Sequence, residues 1–289
     1  MQPKEFKQFV REDAPRGDIT SEAIFGPEGP DVKAQIVAKQ DLVVSGFSVI
    51  KELLRSEFTK VSLTLKTRDG AFVKKGKVLA VVVGPVSQVL QCERLCLNIL
   101  QHLSGIATQT SKYVALAKSF GVTILDTRKT LPGWRDAQKK AVRDGGGANH
   151  RRDLSDQYLI KDNHIDAVGG VIEALEQVRA HQKKFKNKPL IEVEVRSEGE
   201  FCEALLMRPD IILLDNMTPA QIRQLVRMRN KSCDPKHRPL LEISGGVTLK
   251  NINRYVRLGV ERISIGALTH SVMAADVAMK ITWIVNRRS

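Results

Sequence analysis

The sequence has little of what a membrane protein, a disulfide scaffold or a secreted protein requires. Its 289 residues contain no apolar run of the roughly eighteen residues that a membrane-spanning helix needs. The segment Met1 to Phe6 lacks the apolar core of a secretory signal. Only four cysteines are present, and none has CxxC spacing. We therefore expect a cytoplasmic protein with free thiols and no membrane partner.

Aromatic residues are also scarce, at 5% of the chain, with three tyrosines and two tryptophans. The net charge of +14 would suit a nucleic-acid-binding protein, but the positive residues are spread along the chain and few rings are available for base stacking. A field that gathers small anionic substrates accounts for the same charge. We expect no nucleic-acid partner, and nucleic-acid binding stays the alternative from another functional class.

The amino-terminal part of the chain has the pattern of an α+β domain. Short β-branched runs are predicted strands: Val32–Ala38, Asp41–Val44, Lys60–Lys66 and Lys77–Val83. A helix is predicted from Phe47 to Arg55. Apolar residues then recur at helical intervals from Val86, and helical character resumes from Thr108 to Ser119 after an interruption at Ser104 and Gly105.

Beyond Gly121 the pattern changes to six apolar strands, each followed by a polar residue or glycine. They are Val122–Leu125, Tyr158–Ile160, Leu190–Val193, Ile211–Leu214, Leu240–Ile243 and Arg262–Ile265. Helical patterns between them give the spacing of repeated βα units. The sequence therefore predicts an α/β barrel, whose active site lies at the carboxyl ends of its strands.

Cationic residues are concentrated within a segment of about forty residues that is rich in glycine. They are Arg128, Lys129, Arg135, Lys139, His150, Arg151 and Lys161. Arginine binds carboxylate or phosphate as a planar fork, whereas lysine acts as a mobile point charge. Their mixture predicts a substrate that carries both kinds of anion.

Polar residues at the ends of the later strands complete the predicted site. Glu194 and Asp215 can hold Mg²⁺, accept hydrogen bonds from ribose hydroxyls and favour positive charge on a sugar carbon. The alternative is that they balance nearby cations. Glu192 shares the strand face of Glu194, so we expect it in a deeper layer. Glycine-rich turns after Ser244 and at Gly266 suit a phosphate group, although such glycines also make ordinary tight turns.

These motifs together resemble the quinolinate phosphoribosyltransferase family, also called nicotinate-nucleotide pyrophosphorylase (carboxylating). The resemblance rests on ordered segments across nearly the whole chain: 17–20, 93–98, 104–108, 126–133, 145–151, 159–164, 192–195, 213–216, 244–246 and 266–269. It implies transfer of a phosphoribosyl group from phosphoribosyl pyrophosphate to quinolinate with decarboxylation. The products would be nicotinate mononucleotide, pyrophosphate and CO₂, in NAD biosynthesis, with Mg²⁺ as cofactor.

The resemblance also implies an amino-terminal α/β sandwich, an incomplete α/β barrel and a homodimer. We accordingly predict a first domain over residues 1–107, a barrel with the active site over 108–270, and a carboxy-terminal helix over 271–289 that packs back on the first domain.

Roles for individual residues follow from the family pattern. The two quinolinate carboxylates would be bound by Arg128, His150, Arg151 and Lys161, with Arg94 from the neighbouring subunit. Pyrophosphate would lie near Lys129 and Lys161, and the ribose hydroxyls and Mg²⁺ near Glu194 and Asp215. The 5′-phosphate would lie at Ser244, Gly245, Gly246 and Gly266. Lys139 also matches a lysine of the family, with its role left open. Without the resemblance, Arg94 beside Glu93 would be read as a solvated helix face.

The chain departs from the family pattern at Leu131, Trp134, Gln138, Lys140 and Asp153, which leaves the packing of the loop around Pro132 and Gly133 open. Two related enzymes are alternatives. A molybdenum-locus protein shares some motifs but not the intact 159–164 segment, and a nicotinate-type phosphoribosyltransferase would need fewer cations in one pocket. A basic barrel that only binds RNA or a ligand would not need Glu194 and Asp215 at its rim.

Overall fold

The protein is described by a computed structural model, which covers residues 3–27 and 29–285. The chain divides into two compact units. The first comprises residues 1–111, 130–146 and 268–289, and the second comprises residues 112–129 and 147–267. Residues 130–146, which the sequence pattern assigned to the barrel, thus group with the amino-terminal unit.

The described residues form ten α-helices and twelve β-strands. The helices are α1 (Pro3–Asp13), α2 (Ile19–Phe25), α3 (Phe47–Glu57), α4 (Val86–Ala117), α5 (Arg135–Asp144), α6 (Asp162–Val168), α7 (Val171–Gln182), α8 (Glu198–Met207), α9 (Pro219–Ser232) and α10 (Ala267–His270). The strands are β1 (Asp31–Ala38), β2 (Leu42–Val43), β3 (Ser62–Leu65), β4 (Phe72–Val73), β5 (Val78–Pro85), β6 (Thr123–Leu125), β7 (Tyr158–Ile160), β8 (Ile191–Val195), β9 (Ile211–Asp215), β10 (Leu240–Ser244), β11 (Arg262–Ser264) and β12 (Val277–Val285). None of the described helices has the length and apolarity needed to cross a membrane.

The first unit is built on an antiparallel four-stranded sheet with the order β12-β1-β5-β3. Side chains alternate along β1, so that Val32, Ala34 and Ile36 are buried on one face while Lys33 and Gln35 lie on the other. The short strands β2 and β4 pair separately. Strands β1, β2, β3 and β5 and helix α3 agree with the strands and helix expected from the sequence.

The prediction of a carboxy-terminal helix is wrong over the described residues. No helix occurs between residues 271 and 276, and β12 follows as a strand that pairs antiparallel with β1. Burial alternates from Val277 to Lys280 with the period of two that a half-buried strand shows. The strand forms because an edge of β1 offers it a hydrogen-bonding partner, and sequence position alone did not reveal that partner. Residues 286–289 lie outside the described part of the chain.

Helix α4 differs from expectation because it runs without a break through Ser104 and Gly105. A side chain at Gly105 would contact the Met273 carbonyl oxygen and come within 3.2 Å of the Ala274 Cα. The Ser104 hydroxyl accepts a hydrogen bond from the Ser45 N–H and donates one to its carbonyl. Gly105 therefore permits a close approach of two chain segments and does not end the helix.

Most departures from the family pattern pack inside the first unit. Trp134 contacts the rings of Phe9 and His102. Gln138 is fully buried, and its side chain contacts His102 and accepts a hydrogen bond from the Leu131 N–H. Lys140 pairs with two aspartates, Asp69 and Asp144. The departing residues Trp134, Gln138 and Lys140 thus hold α5 and the loop before it within this unit.

The second unit is a parallel sheet with the order β6-β11-β10-β9-β8-β7. In the described part of the chain β6 and β7 are its two edges, so the barrel does not close. Helices α6 to α9 alternate with the strands from β7 onward, which gives the βα repeat predicted from the sequence. The incomplete barrel is therefore confirmed, and its parallel strands bring their carboxyl ends to one mouth.

Candidate active site

A cleft of about 320 Å³ opens at the carboxyl ends of the barrel strands. Its walls come from every strand end of the sheet: Thr127, Arg128, Lys129, His150, Arg151, Leu159, Lys161, Glu194, Leu213, Asp215, Asn216, Ser244 and Ser264. Eight of the residues expected at the site are among them. The size is that of an ordinary small-molecule site.

Strand geometry places the polar side chains of the barrel interior in two layers. Residues two apart on a strand share a face, so Glu192 lies below Glu194 on β8 and Glu242 lies below Ser244 on β10. The register aligns Glu242 with Arg262. The upper layer therefore faces the cleft, whereas the lower layer is the buried floor beneath it.

Four cationic side chains, Arg128, Lys129, Arg151 and Lys161, line the cleft against two carboxylates. Arg151 is 7% exposed. Burial lowers the pKa of its guanidinium, and the charge of Arg128 lowers the pKa further. Two guanidinium groups that repel each other across a cleft are stabilised when an anion lies between them. The cleft is thus arranged for a ligand with several negative charges.

The two carboxylates of the cleft are Glu194 and Asp215, on the adjacent strands β8 and β9. Burial raises the pKa of Glu194, and the charge of Asp215 raises it further, whereas Lys161 opposes these effects. Asp215 accepts a hydrogen bond of 2.8 Å from the side chain of Asn216. Mutual repulsion between two rim carboxylates would be relieved by a divalent cation or by positive charge on a substrate.

The turn after β10 has a backbone that suits glycine. Gly245 and Gly246 have φ angles of +92° and +64°, a region that side chains disfavour. A side chain at Gly245 would also collide with the side chain of Asn216. Ser244 lines the cleft, and Gly266 follows the next strand, β11, by two residues. These neighbouring turns have the position that phosphate-binding loops occupy in barrel enzymes.

The glycine-rich segment before β7 is held by Asp126, which is fully buried. The Asp126 carboxylate accepts hydrogen bonds from the His150 N–H, at 2.9 Å, and from the Asn149 side chain. The backbone of Ala148 also pairs with Leu125, at the end of β6. Asp126 therefore ties the loop that carries His150 and Arg151 to the edge of the sheet.

The His150 ring faces the buried floor. Its Nδ1 accepts a hydrogen bond of 2.7 Å from the Arg151 N–H. Its Nε2 lies 3.1 Å from Glu192 and 3.4 Å from Glu242. Both ring nitrogens are thus engaged within the chain, and the Nδ1 contact places the ring proton on Nε2.

The floor binds one proton more tightly than a free histidine does. Burial lowers the pKa of His150, but the adjacent Glu192 and Glu242 carboxylates outweigh burial and raise the pKa to about 9. A second ring proton would break the Nδ1 contact with Arg151. We therefore assign the proton to the cluster, where Glu192 shares it, because burial and the charge of Glu242 raise the Glu192 pKa.

Two residues expected at the site lie in the first unit and do not line this cleft. Arg94 is exposed on α4, and Lys139 is 3% exposed on α5. Three residues of the floor were not predicted from the sequence: Glu242, Arg262 and Gln157. A charged residue in the middle of an apolar strand, as at Glu242, was the signal that could have found the first of them.

Most of the chain matches the two domains of a known protein family. The model of the quinolinate phosphoribosyl transferase N-terminal domain matches residues 18–104, and that of the C-terminal domain matches residues 106–280. The chain is 39% identical over 279 residues to the probable nicotinate-nucleotide pyrophosphorylase [carboxylating] of Bacillus subtilis, covering 96% of this chain and 93% of that protein.

Two further relatives agree with this result. The nicotinate-nucleotide pyrophosphorylase [carboxylating] of Mycobacterium leprae is 38% identical, with 95% of each chain covered. The crystal structure of NadC from Streptococcus pyogenes superposes with a TM-score of 0.89 at 36% identity, with 99% of each chain covered. Both halves of the fold are therefore shared, and the chain belongs to the quinolinate phosphoribosyltransferase family.

Proposed function

We propose that this chain transfers the phosphoribosyl group of phosphoribosyl pyrophosphate to quinolinate and decarboxylates the product to nicotinate mononucleotide. Membership of the family supports this activity. The observation that carries it is the cleft, in which Arg128, Lys129, Arg151 and Lys161 face Glu194 and Asp215. Such a site suits a dicarboxylate together with a phosphorylated sugar that becomes cationic.

The charges of the side chains in the cleft indicate which group of the substrates each one binds. Arg128, Arg151 and Lys161 bind the quinolinate carboxylates, and Lys129 stabilises the departing pyrophosphate. Glu194 and Asp215 bind the ribose hydroxyls and stabilise positive charge on the ring as the C1–oxygen bond breaks. The turns at Ser244, Gly245, Gly246 and Gly266 hold the 5′-phosphate.

The order of the two chemical steps follows from the same argument. When CO₂ leaves, an electron pair stays on a ring carbon, and a pyridinium ring accommodates that charge far better than a neutral pyridine. The pyridinium exists only after the ring nitrogen has formed its bond to the sugar. Transfer therefore precedes decarboxylation, and a solvent proton replaces CO₂. The protein contributes orientation and electrostatic stabilisation.

Magnesium is the cofactor that fits the rim. Burial and the charge of Asp215 raise the pKa of Glu194, so a cation near the two carboxylates would relieve their repulsion. Two carboxylates suit Mg²⁺, which takes its remaining ligands from water and substrate phosphates. When bound, the ion would neutralise charge on the pyrophosphate leaving group.

The proposal includes a homodimer in which Arg94 reaches the quinolinate site of the neighbouring subunit. Arg94 is exposed on α4, and its side chain makes no hydrogen bond or ion pair within the described residues. A two-fold interface would give each site one such residue. A cytoplasmic location goes with this activity and is supported by the four free cysteines.

The decisive assay measures CO₂ released from carboxyl-labelled quinolinate in the presence of phosphoribosyl pyrophosphate and Mg²⁺. We expect release to require all three and to match the formation of nicotinate mononucleotide. Nicotinate should be a poor substrate, because cations that pair with the second carboxylate would stay unpaired. Comparable rates with nicotinate would overturn the dicarboxylate assignment, and no release with quinolinate would overturn the proposed activity.

A further inference from the structure

The buried floor beneath the cleft suggests a role for residues that the substrate does not reach. Glu192 and Glu242 are fully buried, and together with His150 they place potential ligand atoms within 4.8 Å of one another. Buried carboxylates are costly unless each is paired. Their arrangement therefore needs a physical reason.

Charge balance favours an ion-pair network over a metal site. Arg262 Nε donates a hydrogen bond of 2.6 Å to Glu242, and this positive charge compensates the Glu242 carboxylate. The Nε2 atom of His150 lies 3.1 Å from a Glu192 oxygen and 3.4 Å from a Glu242 oxygen. The two carboxylates thus have the Arg262 guanidinium and the His150 ring as partners within the chain, without an added cation.

Glu192 contacts the two residues that accept hydrogen bonds from Arg151, which are His150 and Gln157. On one side it bonds to His150, whose Nδ1 accepts the Arg151 N–H. On the other side it accepts a hydrogen bond of 2.6 Å from the Gln157 side chain. The carbonyl oxygen of Gln157 in turn accepts a hydrogen bond of 3.4 Å from the Arg151 guanidinium. One buried carboxylate thus contacts the residues that orient the backbone and the side chain of Arg151.

We propose that Glu192 is a positioning residue, which acts through His150 and Gln157 to aim the Arg151 guanidinium at the carboxylate of the substrate. Glu242 and Arg262 support it by completing the charge balance of the floor. His150 then acts mainly as part of this scaffold, since both of its ring nitrogens are already engaged. A planar guanidinium binds a carboxylate well only in a narrow range of orientations. The residues that orient the Arg151 guanidinium therefore determine the affinity for the substrate carboxylate.

The test is the substitution Glu192→Gln, which keeps the shape of the side chain. An amide has two acceptor sites, whereas a carboxylate has about four. The NH₂ group of the new amide would also face the donors that bond to the Glu192 carboxylate. We expect the KM for quinolinate to rise about tenfold or more, since small displacements of a binding group have effects of this size. The KM for phosphoribosyl pyrophosphate should change by less than about twofold, because Arg151 does not bind that substrate.

The matched control is Glu261→Gln. Glu261 is a carboxylate that pairs with a buried group, Arg229, at 2.7 Å, but it precedes β11 and so lies at the opposite end of the strands from the cleft. Loss of this ion pair should lower the free energy of unfolding and leave the KM for quinolinate unchanged. Equal KM values for quinolinate in the two variants would overturn the proposal.

A double-mutant cycle identifies the residue through which Glu192 acts. In an Arg151→Lys background the additional effect of Glu192→Gln on quinolinate KM should fall to about twofold, because lysine has no planar guanidinium for Glu192 to orient. Fully additive effects would refute action through Arg151. If Glu192→Gln does not fold, Gln157→Met removes the same hydrogen bond from a half-buried position and is judged by the same criteria.

The inference rests on the proposed function, and the experiment separates the two. A parent protein that does not convert quinolinate refutes the function. A parent that converts quinolinate, with a Glu192→Gln variant of unchanged quinolinate KM, refutes only the positioning role.

Discussion

The buried floor should make the stability of this protein fall as pH rises through the neutral range. His150 has a pKa of about 9, compared with an ordinary value of 6.5. Between these two values the folded protein holds a proton that the unfolded chain releases. The resulting stabilisation is fully present below pH 6.5 and is lost as pH rises toward 9.

The size of the effect follows from the two pKa values. One proton changes the free energy of unfolding by at most about 1.4 kcal/mol per pH unit. Between pH 7 and pH 8.5 the unfolded chain already binds part of a proton, so the expected loss is about 1–2 kcal/mol. It belongs to the network as a whole, whichever of His150 and Glu192 carries the proton.

The measurement is urea unfolding of the parent and of His150→Gln at the two pH values. The substitution removes the imidazole ring and leaves the other groups that titrate in this range, so the difference between the two proteins isolates the contribution of the ring. We expect the parent to lose about 1–2 kcal/mol more than the variant. Equal losses in the two proteins would show that the His150 ring does not contribute to binding the extra proton.

Three further predictions concern the cleft. Arg151→Lys keeps the charge but loses the planar fork, so calorimetry should show markedly weaker quinolinate binding with an unchanged far-ultraviolet circular dichroism spectrum. Glu194→Gln should lower kcat more than it weakens quinolinate binding, because the charge of Glu194 matters most when the sugar becomes cationic. An unchanged kcat at saturating substrate would show that Glu194 has only a structural role. Arg94→Ala and Lys129→Ala should each be nearly inactive, yet unfolding, mixing and refolding equal amounts should restore about a quarter of parental activity through mixed dimers with one intact site. No recovery despite demonstrated subunit exchange would place Arg94 outside the neighbouring site.

Local patterns predicted the elements that build the cleft. Each barrel strand is a short apolar run followed by a polar residue or glycine, and the carboxyl ends of parallel strands share one mouth. The lining residues Lys161, Glu194, Asp215 and Ser244 could therefore be brought together from sequence before any coordinates. Individual roles were predicted from the family resemblance and not from these patterns.

Other features depended on partners that lie far away in the chain. The segment at 277–285 is a strand because β1 has a free edge for it, and Gly105 continues a helix because the chain at Met273 approaches it closely. The floor required Glu192, Glu242 and Arg262 to meet from three different strands. Strand and turn propensities are encoded within a few neighbouring residues, whereas pairing, close approach and buried charge balance depend on which distant segments the folded chain brings together.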